Sequence, residues 1–124
     1  MNIKELLISG IIMILIDYIY LNSVANYFNN LLIKIQKNPM KVKLTGAILC
    51  YILLVLGLNY FIISKKNKLL DAFILGFIIY GVFETTNYAI FKDWEIFPVL
   101  LDTVWGGILF YLTTYATYKI ANIN

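Results

Sequence analysis

A chain of 124 residues in which 61% of side chains are hydrophobic, with a mean hydropathy of +0.80, is far more apolar than a water-soluble domain, where about 45–50% is usual. The formal charge of +3 comes from ten lysines without a single arginine or histidine, which argues against nucleic-acid binding, since Arg is the preferred reader of phosphate and guanine. The missing histidine also removes the common metal ligand and the usual acid–base group near neutrality.

A membrane span needs about 20 mostly apolar residues. Four such windows fit, Ile3 to Asn22, Leu44 to Ile63, Leu69 to Phe91 and Phe97 to Tyr118. The expected fold is all-α: an integral membrane four-helix bundle, antiparallel up-down-up-down, forming one transmembrane domain over residues 1–124.

The first window opens near Lys4 and contains Asp17, and no small-x-small cleavage pattern follows, so it reads as a permanent span rather than a signal peptide. Asn22, Ser23 and Asn26 predict a turn at its end. Beyond them, Tyr27, Leu31 and Ile35 share one face and Asn30, Lys34 and Lys37 another, which predicts a short interfacial helix between spans one and two, or a loop capping the bundle, ended by Pro39.

The second span is the least polar; its Gly46 and Gly57 would allow close helix approach, Cys50 would be a small apolar filler, and Asn59 is expected to bond a neighbouring helix. The tight connection through Ser64 and Lys68 makes spans two and three expected neighbours. After the third span Trp94 is expected at an interface, and Pro98 suits the first turn of the fourth helix. Lysines divide evenly between the two sides; the dense Lys65–Lys68 turn tips the expected orientation towards cytoplasmic termini.

Antiparallel threading then brings out a polar layer. Asp17 lies five residues before the end of span one, Glu84 seven before the end of span three, and Asp102 five after the start of span four. All three ends emerge on one side, so the acids stand at similar depth, about 8–10 Å below one face. Gly76, Tyr80, Glu84 and Asn87 form one stripe; Asp102, Trp105 and Gly106 share a face, as do Asp17, Tyr20 and Leu21; span two offers Cys50 and Tyr51 at that level. The candidate ligand-binding residues are therefore Asp17, Glu84, Asn87, Asp102, Trp105, Tyr80, Tyr20 and Tyr51. Without Lys or Arg beside them, three close carboxylates cannot all ionise: a proton or a hard cation such as Na⁺, Ca²⁺ or Mg²⁺ must balance them.

At these residues the chain resembles the family of small membrane proteins called domain of unknown function 2177, over nearly its whole length. The likeness is carried by Asp17 with Tyr20 and Leu21 (Trp is more usual than Tyr), by Glu84, Thr85, Thr86 and Asn87 (Asp-x-Thr-Asn is more usual), by Asp102, Trp105 and Gly106, and by Trp94. The resemblance implies a four-helix membrane fold with shared polar residues, and no activity.

Three functions follow as expectations. In the first, the carboxylate cluster binds or conducts a proton, cation or cationic small solute, in a homo-oligomer because one protomer is small for alternating access. In the second, a lipid-modifying enzyme uses paired carboxylates as general acid and base, though no nucleophile or zinc motif accompanies them. In the third, the cluster is glue between helices. No cofactor is called for beyond a bound hard cation, and the lipid bilayer is the expected surrounding.

Overall fold

The structure, a computed structural model, describes residues 1–37 and 43–123, and is built from four helices with no strand among the described residues. They are α1 (Ile3–Gln36), α2 (Leu44–Leu58, running on as a π-helical turn over Asn59–Ile63), α3 (Leu69–Ile90) and α4 (Ile96–Ile120). Each is long and apolar enough to cross a membrane. The expected end of α2 at Ile63 holds, and α3 and α4 begin and stop within two residues of their windows.

The first helix departs from expectation. Its 34 residues make one unbroken rod, about 51 Å long at 1.5 Å per residue, with no turn at Asn22–Asn26. The reason is local: the Ser23 hydroxyl donates to the Ile19 carbonyl at 2.9 Å and the Asn22 amide to the Tyr18 carbonyl at 3.1 Å. Both side chains thus bond one helical turn back instead of competing with the backbone. The amphipathic stretch is the last part of α1, not a separate interfacial helix. Its inner face, Tyr27, Leu31 and Ile35, packs on Trp94 and Val99 of the α3–α4 side. Asn2 caps the rod at its start by accepting from the Lys4 and Glu5 amides, and left-handed Lys37 closes it. Pro39, the expected stop, lies outside the described residues.

Helix packing inside lipid relies on close van der Waals fit and on polar contacts, because the tails are as apolar as the side chains. The tightest fit is between α3 and α4: a Cβ at Gly76 would overlap the Gly106 carbonyl, and one at Gly106 would overlap the Tyr80 ring. Gly46 and Gly57, expected to provide this closeness, instead have nothing within 4 Å of a Cβ position among the described residues. Cys50 is likewise exposed on the outer side of α2 rather than filling the interior.

α4 also packs on α1, and α1 on α2, so the backbones run in the order α2, α1, α4, α3. Spans two and three are therefore not the close neighbours that their short connection suggested. The turn residues absorb the offset: Asn67 donates to the Phe61 carbonyl at 2.8 Å, and its own carbonyl accepts the Tyr118 hydroxyl at 2.7 Å. A buried cluster of Met13, Leu58, Ile62, Ala72, Leu109 and Phe110 ties the four helices together.

Candidate functional site

One level above that cluster the interior becomes polar. Asp17 faces inwards from α1 and is 6% exposed. Its Oδ1 accepts the Trp105 indole N–H of α4 at 2.9 Å, and its Oδ2 accepts the Tyr51 hydroxyl of α2. One turn further along α1, the Tyr20 hydroxyl donates to Asp102 Oδ1, while its ring stacks on Trp105 with centroids 4.4 Å apart and planes 5° from parallel. Asp17 and Asp102 thus flank one aromatic stack.

Glu84 comes from α3 and is fully buried. Its Oε1 accepts the Trp94 indole N–H at 3.0 Å, an interaction that turns Trp94 inwards to 8% exposure rather than leaving it at the membrane surface as expected. Its Oε2 has no hydrogen-bond partner among the described residues. The Asp102 carboxyl stands within hydrogen-bonding reach of Glu84. Two ionised carboxylates offer each other only acceptors, so this contact is satisfied only when a proton or a cation lies between them.

Among the expected site residues, Asp17, Tyr51, Trp105, Tyr20 and Asp102 form one bonded set, and Glu84 joins it through Asp102. Tyr80 lies within electrostatic reach of Asp17 and Asp102 and presses on Gly106. Asn87 is buried one turn beyond Glu84, yet among the described residues no hydrogen bond joins its amide to the acids. Nor do three acidic side chains converge to ligate one metal ion among the described residues. Three acids at one level resolve into a pair, Glu84 with Asp102, and a separately held Asp17.

Two groups escaped sequence reasoning. Trp94 donates to Glu84 because the α3–α4 loop folds back over the layer, and its signal was a tryptophan ten residues after a buried acid. Ser9 is fully buried and its hydroxyl accepts the Asn59 amide at 2.9 Å; the amide's need for a helix partner was readable, but not the partner.

Four long apolar helices closed around buried carboxylates define a multi-pass integral membrane protein. The chain belongs to the family described as "Predicted membrane protein (DUF2177)", which matches residues 2–119. No curated protein and no solved structure matches it.

Proposed function

We propose that the protein binds and releases a proton, in exchange with a small cation, at the Glu84–Asp102 pair inside the membrane. The observation that carries this is the distribution of donors. Trp105, Tyr51, Tyr20 and Trp94 supply both oxygens of Asp17 and one oxygen each of Asp102 and Glu84. What is left is a buried Glu84 Oε2 without a donor, beside a second carboxyl. That slot takes one proton, or one cation of the hard, oxygen-seeking kind.

The test is infrared difference spectroscopy on purified protein during a pH titration, with Na⁺, Ca²⁺ and Mg²⁺ added in turn. A protonated-carboxyl band should appear in the wild type and vanish in both Glu84→Gln and Asp102→Asn. A cation that occupies the slot should displace the band. A spectrum identical in wild type and both variants overturns the reading.

The saturated oxygens favour a second reading, in which the layer is interhelical glue. It expects the same variants to lower thermal stability in detergent with no titrating carboxyl in the wild type. The lipid-modifying alternative gains less support, because the Tyr20 and Tyr51 hydroxyls are engaged by the carboxylates.

A further inference from the structure

Three helices repeat one pattern at one spacing. On α1, Asp17, Met13 and Ser9 follow each other at four-residue steps, and apart from Leu31 these are the helix's buried residues. On α2 the same steps give Tyr51, Val55 and Asn59, and on α4 they give Trp105, Leu109 and Thr113. Because α1 runs antiparallel to the other two, the three series descend together: acid with aromatic donors, then an apolar step, then hydroxyls and an amide.

The register is fixed by contact at both ends. Tyr51 and Trp105 both bond Asp17 at the upper level. At the lower level Asn59 bonds Ser9. Each four-residue step rises about 6 Å, so the two polar levels stand about 12 Å apart. Between them Met13 and Leu109 are completely buried.

The lower level is not self-satisfied. Thr113, at this level, and its chain neighbour Thr114 are fully buried, and among the described residues the hydroxyl of neither has a hydrogen-bond partner. An unpaired hydroxyl sealed in an apolar interior is costly, and water is the ligand that removes such a cost in a buried polar space. The π-helical turn that starts at Asn59 is the kind of local irregularity that recurs at functional sites. One more step down α1 stands Glu5, half-buried, and the matching step on α4 is Thr117, whose hydroxyl donates to the Thr113 carbonyl at 2.7 Å.

We propose that the level of Ser9, Asn59 and Thr113 is a water-binding site, and that it and the acid layer are the two halves of a proton route through the protomer, shut at rest by Met13. This rests on the proton-binding reading of Glu84–Asp102 and extends it to the opposite membrane face. A proton enters at Glu5, passes to the water held by the hydroxyls, and meets the acid layer when the flexible Met13 side chain swings out of the apolar step. It moves down its own gradient, and a counter-ion balances the charge.

Protein reconstituted in liposomes with an internal pH-sensitive dye, with potassium and valinomycin balancing charge, tests the route after an external acid step. Met13→Ser places a hydroxyl in the apolar step and should raise proton entry about tenfold over wild type, the change expected when about 1.4 kcal/mol leaves the barrier. Adding Thr113→Val to Met13→Ser should return entry towards wild type. Equal entry in wild type and a folded Met13→Ser overturns the proposal. Solid-state NMR on wild-type protein gives an arm independent of any variant: magnetisation transfer from water should reach Ser9 and Thr113, and its absence there overturns the proposal too. If Met13→Ser conducts equally with and without Glu84→Gln, the lower level stands and the acid-pair reading fails. If the infrared titration finds the shared proton while Met13→Ser does not conduct, the acid pair stands and the route fails.

Discussion

Trp94 and Glu84 carry the sharpest energetic contrast at the scale of single residues. Replacing Trp94 with Phe keeps a ring in the loop but leaves both oxygens of a fully buried carboxyl without a donor. Such a loss costs about 1–3 kcal/mol, more for a charged group, and thermal unfolding in detergent should show it as a lowered midpoint. In a Glu84→Gln background the same Trp94→Phe change should cost clearly less, because an amide brings its own donors to Asp102 and no longer needs the indole. Tyr51→Phe removes one of two donors to Asp17. Its expected cost is nearer about 1 kcal/mol, since Trp105 continues to hold the other oxygen.

At the scale of helices, the α3–α4 contact depends on three missing side chains, at Gly76, Gly106 and Gly107. Gly76→Ala should separate the pair and lower the unfolding midpoint by the equivalent of about 1–3 kcal/mol, whereas Gly57→Ala, which meets open space, should be neutral or slightly stabilising. The far end of α1 is held differently. Tyr27 donates to Glu95, and Lys34 lies 3.6 Å from the same carboxylate, with both partners of the ion pair exposed. Glu95→Ala should therefore cost no more than about 1 kcal/mol, with Leu31 packed on Trp94 doing most of the holding.

The same scale shows what was legible in the sequence. The apolar windows became helices because lipid leaves the backbone no other way to satisfy its own polar groups. Counting residues from the span ends gave Asp17, Glu84 and Asp102 one expected level; Asp17 and Asp102 flank the Tyr20–Trp105 stack, whereas Glu84 takes its donor from Trp94. Propensity misled at Asn22 and Ser23, where side chains that usually break a helix bond back into it. Loop length misled for α2, because a tight turn fixes only where a helix starts, and the Asn59–Ser9 bond draws α2 towards α1 instead. Which glycine meets a neighbour depends on helix rotation, and composition does not encode that.

For the molecule as a whole, the backbone order α2, α1, α4, α3 makes a prediction of its own. A Cβ at Gly10 would stand 3.8 Å from the Val55 methyl groups. In a Cys50→Ser background, Gly10→Cys combined with Val55→Cys should cross-link readily under mild oxidation in membranes, detected as protection from separation after cleavage in the α1–α2 connection. Failure to cross-link, with both thiols accessible to alkylation, would overturn the order.

The chain has two tryptophans, and the indole N–H of each is spent on a carboxylate of the interior layer. Its tryptophan emission, excited selectively at the red edge of the absorption where tyrosine no longer absorbs, therefore originates from beside Asp17 and Glu84. Any event that charges, neutralises or wets those groups is written into the colour of the light the unlabelled protein gives off.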